Sequence, residues 1–173
     1  MVRIWLWWAA LCGCTGEVDV HLVDTSPAAP GGELDLLVFQ LPFDHVEARR
    51  DGEWEPLARG PDPYNPLDFW GKPILVDLLS LREAPLRVVH DEIPVGALTA
   101  LRLVLTDGEP ITLQTVDGIV HPVTAPDVVE WEVAMEVERD GTEARTFDLR
   151  VRDALVAVEA GAYHFDPALL PAD

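Results

Sequence analysis

The sequence predicts an all-β domain. Apolar residues alternate with polar ones, turn dipeptides separate the alternating stretches, and no segment carries long helical periodicity. Val18, Val20 and Leu22 alternate with Asp19 and His21, and Leu101, Leu103 and Leu105 with Arg102 and Val104. Trp131, Val133, Met135 and Val137 alternate with Glu132, Ala134 and Glu136, and Phe147, Leu149 and Val151 with Asp148 and Arg150. Successive strand side chains point to opposite faces, so this period of two marks strands with one face on a core and one in water. The expected architecture is an antiparallel β-sandwich, Ig-like or transthyretin-like, of about seven to nine strands. At most one short helix is expected, over residues 75–83.

The turns set the expected registers. Asp-Gly occurs at 51–52, 107–108, 117–118 and 140–141, a strong hairpin signal between alternating stretches. A two-residue turn at Asp51-Gly52 places Arg50 opposite Glu53, Arg49 opposite Trp54 and Val46 opposite Leu57. The same turn at Asp117-Gly118 places Val116 opposite Ile119 and Thr112 opposite Val123. At Asp140-Gly141 parity demands an odd loop, Arg139–Gly141 with Gly141 left-handed, which sets Val133 opposite Phe147 and Trp131 opposite Leu149.

The N-terminus reads differently. Arg3 gives a short positive start, and the apolar run Ile4–Leu11, with Trp5, Trp7 and Trp8, is too short to span a bilayer but matches a signal-peptide core. Leu11-Cys12-Gly13-Cys14 resembles the bacterial lipobox. That resemblance implies a signal peptide over residues 1–13, with cleavage between Gly13 and Cys14 and lipid on the Cys14 thiol. Two or three acyl chains hold a protein firmly where one binds only marginally. Residues 14–16 then form the anchor and a short tether, and residues 17–170 a single domain. In a two-membrane bacterium, Thr15 rather than Asp after the cysteine implies outer-membrane sorting, by similarity to such lipoproteins.

Charge narrows the partners. The 173 residues carry 31 acidic against 12 basic side chains, a formal charge of −19; loss of Arg3 with the signal leaves 31 against 11, or −20. Such a field repels nucleic acid and attracts basic partners. The two cysteines, Cys12 and Cys14, both sit at the N-terminus, so the domain has no disulfide framework. At 49% apolar and 25% charged, the chain is too apolar to be disordered.

The order of several short motifs resembles one family. Gly16-Glu17-Val18-Asp19-Val20-His21-Leu22-Val23-Asp24 looks like an opening strand ending in Asp; Val46–Trp54, Val76-Asp77-Leu78-Leu79 and Ile93–Leu105 follow. His121-Pro122-Val123 after Asp117-Gly118, then Phe147-Asp148 and Tyr163, complete the series. Together they resemble the domain of unknown function family 4382, found in bacterial and archaeal envelope lipoproteins. Leu98 stands where that family usually has an aromatic, and the 59–73 loop is longer than its pattern. The resemblance implies a β-sandwich behind a lipobox and carries no activity.

Chemistry is sparse. Ser26 and Ser80 are the only serines, and neither lies in a nucleophile elbow. His21, His45, His90, His121 and His164 form no His-x-His or His-x3-His pair. His164 with Tyr163 and Asp166 is the nearest approach to an acid–base trio, but neighbours along a strand face opposite ways. No metal site is assigned. Asp62, Asn65 and Asp68 offer oxygens that suit calcium, without the spacing of a calcium loop. Glu130, Glu132, Glu136 and Glu138 form an acidic stripe, balanced in part by Arg150, that suits a basic partner or protects a sheet edge.

The proline-rich 59–73 loop carries Tyr64, Phe69 and Trp70, a candidate surface for a protein or glycan partner. The sequence therefore points to a non-enzymatic, lipid-anchored envelope module without cofactor. The alternative is an envelope hydrolase or metal-dependent enzyme whose site assembles only in three dimensions.

Overall fold

The computed structural model describes residues 14–26, 35–57, 74–82, 84–167 and 170–171. It is all-β apart from one 3-10 turn, Ser80–Arg82. The strands are β1 (Thr15–Val23), β2 (Leu36–Arg50), β3 (Glu53–Leu57), β4 (Ile74–Asp77), β5 (Leu86–Pro94), β6 (Gly96–Leu105) and β7 (Thr112–Thr115). They continue as β8 (Val120–His121), β9 (Val123–Thr124), β10 (Val128–Val137), β11 (Thr142–Asp148), β12 (Leu155–Glu159), β13 (Ala162–Phe165) and β14 (Leu170–Pro171). The described residues form fourteen strands, more than the expected seven to nine, and β8, β9 and β14 are only two residues long.

Two larger sheets share one core. The first runs β14-β11-β1-β5, the second β10-β6-β2-β7-β8 with β3 and β4 also on β2, and β12-β13-β9 form a small third. Val18, Val20 and Leu22 of β1 join Phe39, Leu41 and Phe43 of β2 and Leu101 and Leu103 of β6 in a single buried cluster. Trp131 of β10 meets Phe147 of β11 at 4.5 Å between ring centroids, one ring from each large sheet.

The antiparallel expectation needs correction. β1 pairs β11 in parallel, with Val23 opposite Asp148, and β13 pairs β9 in parallel. The expected β10–β11 hairpin does not exist, since β10 pairs β6 and the chain then crosses to the first sheet. At that crossing Asp140, not Gly141, is left-handed (φ 54), a conformation that aspartate tolerates better than most residues. Gly141 donates to Glu138 O at 3.2 Å, and Asp140 to Thr15 O at 2.9 Å.

The short helix expected over 75–83 is instead β4 followed by the 3-10 turn. The Asp77 carboxylate accepts the Leu79 N–H at 3.1 Å, and the Ser80 hydroxyl donates to the Asp77 carbonyl at 2.7 Å. Asp side chains favour such local bonds over continued secondary structure.

Strand β1 starts at Thr15, two residues earlier than the expected start at Glu17. A Cβ on Gly16 would stand 2.2 Å from the Glu138 carbonyl oxygen and 2.9 Å from Val137 Cγ1. Gly16→Ala therefore forces two backbones apart and is expected to cost about 1–3 kcal/mol in a denaturant titration, as overpacking does. An unchanged midpoint would contradict this close packing.

β2 runs between two ends of the domain. Its Arg50 end meets the β5–β6 turn, where the Arg50 guanidinium donates to Val95 O at 3.1 Å. Val95 in turn donates to Cys14 O at 2.9 Å. At the other end of β2, Leu36 pairs with Thr115 beside the β7–β8 turn. Fifteen residues separate the two poles along the strand, about 45 Å if fully extended.

Candidate functional site

The aspartates that close the family-like motifs build a clasp. Asp24, at the end of β1, is 4% exposed. Its Oδ1 accepts the N–H groups of Ser26 at 2.9 Å and Val151 at 3.1 Å, and its Oδ2 accepts Arg82 Nε at 2.9 Å. Asp148, at the end of parallel β11, accepts the Thr25 N–H at 2.9 Å, the Thr25 hydroxyl and the Arg150 N–H at 3.1 Å. Ser26 Oγ accepts the Arg152 N–H at 3.1 Å. The Val151, Thr25 and Arg152 bonds tie each strand end to the segment leaving the other, so these residues hold the fold.

Burial raises the Asp148 carboxyl pKa, but the Thr25 and Arg150 bonds outweigh it and hold it below the ordinary value. A carboxyl with a depressed folded pKa stabilises the fold above its unfolded value and loses that contribution as pH falls through the folded one. Stability is expected to drop as pH falls below about 4, and Asp148→Asn to flatten that drop. An identical acid profile in the variant would refute the assignment.

His45, His90 and His164 each have a polar partner. His45 lies between Asp44 at 2.8 Å and Glu47 at 3.0 Å. Burial pushes Glu47 up, yet its bonds from His45 and Arg102 bring it below the usual carboxylate range. His90 meets Asp19 at 2.9 Å, and His164 meets Thr124 at 2.9 Å. Tyr163 instead packs edge-on against His121, with ring centroids 5.4 Å apart, so His164, Tyr163 and Asp166 do not assemble as a trio.

Glu130, Glu132 and Glu136 are exposed on β10, which ends its sheet. Glu130 is balanced by Arg49 at 3.6 Å, not by Arg150, whose partner is Asp148 at 3.7 Å. Among the described residues, no group of three or more His, Cys, Asp or Glu side chains is placed to hold a metal. Gly13, the calcium candidates Asp62, Asn65 and Asp68, and the loop residues Tyr64, Phe69 and Trp70 lie outside the described residues. Cys14 lies at the pole formed with Val95, its Sγ against the Arg139 guanidinium.

At the opposite pole a concavity of about 350 Å³ gathers residues that the sequence did not single out together. Thr115, Asp117 and His121 come from the β7–β8 hairpin, Tyr163 from β13, and Asp35 from the residue before β2; Val116 and Ile119 complete the wall. The hairpin differs from expectation by one residue. Leu113 faces His121 and Gln114 faces Val120, while Thr115 accepts Gly118 N–H at 2.9 Å and donates to Ile119 O at 3.0 Å. The loop is therefore Val116-Asp117-Gly118, with only Gly118 left-handed (φ 85), a turn closed by a glycine bulge. This register puts Thr115 and His121 on one face.

The His121 ring is fixed by its Nδ1, 3.1 Å from the Gly161 carbonyl oxygen. A carbonyl only accepts, so Nδ1 carries the proton and Nε2 faces the Thr115 hydroxyl at 3.4 Å. That hydroxyl donates to Asp117 Oδ1 at 2.5 Å. This bond, with the Ile119 N–H, holds the Asp117 carboxyl below its ordinary pKa despite an opposing desolvation cost. The hydroxyl proton thus serves a carboxylate rather than a base. The arrangement orders the loop and presents an ionised carboxylate, an imidazole edge and a phenol to solvent.

A larger concavity, about 500 Å³, lies between the segments after β6 and before β10. Asp107, Glu109 and Asp127 line it together with Pro42, Pro110 and Pro126. The Thr106 hydroxyl within it is buried and lacks a hydrogen-bond partner among the described residues.

No curated protein and no solved structure matches the chain. A family described as a domain of unknown function (DUF4382) matches residues 15–167. That span opens with the first residue of β1 and closes two residues after β13, taking in the aspartate clasp and both concavities. The chain therefore belongs to the DUF4382 family.

Proposed function

We propose that this protein is a lipid-anchored module of the cell envelope that binds a partner and performs no catalysis. In this reading a signal peptide of residues 1–13 is removed after Gly13, and Cys14 carries the acyl chains. The single observation that carries the reading is the placement of Cys14 at one pole and of the solvent-facing β7–β8 hairpin at the other. An anchor at one end leaves the far end free to meet something beyond the headgroups. Because β1 starts at Thr15, the domain sits directly on its anchor, and Thr15 after the cysteine favours the outer membrane of a two-membrane cell. We read the shared core of the two large sheets as a sandwich of Ig-like or transthyretin-like kind.

Mass spectrometry of the envelope fraction is expected to find mature protein beginning at an acylated Cys14. Cys14→Ser is expected to lose all labelling by a fatty-acid probe. Undiminished labelling of that variant would refute the anchor.

A further inference from the structure

The β7–β8 hairpin exposes aliphatic side chains. Val116 is 59% exposed, Ile119 53% and Val120 63%. Aliphatic residues gathered on one protruding turn mark a contact surface more often than scattered ones do. Two of them, Val116 and Ile119, wall the 350 Å³ concavity, whose ionisable side chains are Asp35, Asp117, His121 and Tyr163. Among the described residues, no lysine or arginine lines it. The Asp35 carbonyl takes the Val116 N–H at 2.8 Å, so the loop is fixed to β2.

We infer that this concavity docks an extended segment of a cationic partner protein, seating a lysine or arginine side chain between the Asp35 and Asp117 carboxylates and resting aliphatic side chains on Val116 and Ile119. The inference rests on the binding-module reading above and names the chemistry of its partner. Lysine and arginine combine an aliphatic stem with a charged head, matching an aliphatic wall with carboxylates beside it. The concavity is set by hydrogen bonds within the hairpin and by His121 held against Gly161, so little ordering opposes binding. A second copy is a poor occupant, because each chain carries a charge of −19 and the hairpin itself is acidic. An anionic bilayer is a poor one as well, since its headgroups repel the same carboxylates.

The test uses the full-length protein in detergent micelles and fluorescent octapeptides of alternating Lys-Val, Glu-Val and Ser-Val, read by anisotropy. The Lys-Val peptide is expected to bind saturably and the Glu-Val peptide not at all. Asp117 also holds its turn, so the deciding variant is Asp35→Asn. Asp35→Asn is expected to weaken Lys-Val binding about tenfold, as loss of one close charge partner does. Glu130→Gln, on the distant acidic stripe, is expected to leave it unchanged. Equal binding of the three peptides would overturn the inference. So would Lys-Val binding that ignores Asp35→Asn, or that Glu130→Gln weakens as much. Micelles take anchoring out of the measurement, so failure of Cys14 acylation leaves this result standing, and the reverse holds equally.

Discussion

Replacing Asp24 with alanine is expected to destabilise the domain by about 3–5 kcal/mol, the usual cost of breaking a buried ion pair from one side. The carboxylate closes the end of β1 by taking two backbone N–H groups, from Ser26 and Val151, and the Arg82 guanidinium. Its side chain is fully buried while that of Arg82 is 26% exposed. After truncation Arg82 can turn partly to water, but the two N–H groups lose their acceptor. Their orphaning adds the cost of unsatisfied buried donors. Asp24→Asn, which keeps an oxygen acceptor and loses the charge, is expected to fall between wild type and alanine. Denaturant midpoints at constant slope would measure the series. A loss under 1 kcal/mol for Asp24→Ala would show that the clasp does not hold β1 to β11.

Phe165→Ala is expected to cost about 3–5 kcal/mol and to weaken the Lys-Val peptide as well. Phe165 is fully buried and stands edge-on to Phe39 at 5.1 Å. It joins the small third sheet to Phe39 near the start of β2, and β13 also carries Tyr163 into the distal concavity. A cavity here both removes core contacts and frees the β12–β13 hairpin. Hydrogen exchange is expected to rise in β12 and β13 more than in β1 or β6. A uniform rise throughout the domain would show that the hairpin is not held separately through this ring.

The Asp51-Gly52 hairpin was fully legible in the sequence: Arg50 faces Glu53, Arg49 faces Trp54 and Val46 faces Leu57. Both turn residues are left-handed there, at φ 50 and 86, so the dipeptide alone set a two-residue turn. The same dipeptide at 117–118 behaves differently because the Thr115 hydroxyl engages the Asp117 carboxylate and only Gly118 turns left-handed. One residue of slip moves every side chain to the other face. In the expected register Thr115 and His121 stood on opposite faces, so the distal site was invisible. Its other members, Asp35, Gly161 and Tyr163, arrive from distant parts of the chain, which no local pattern announces. The parallel β1–β11 pairing was hidden for the same reason, although Asp24 and Asp148 were already marked by the family-like motifs.

The central claim is that the anchor and the binding surface occupy opposite poles. Spin labels at Val95→Cys and Val120→Cys, in full-length lipoprotein reconstituted into bilayers, test it most directly. Paramagnetic relaxation from headgroup-bound nickel is expected to be strong at position 95, whose N–H bonds to Cys14. It is expected to be negligible at position 120, up to about 45 Å away along β2. Equal relaxation at the two positions, or stronger relaxation at 120, would contradict the account.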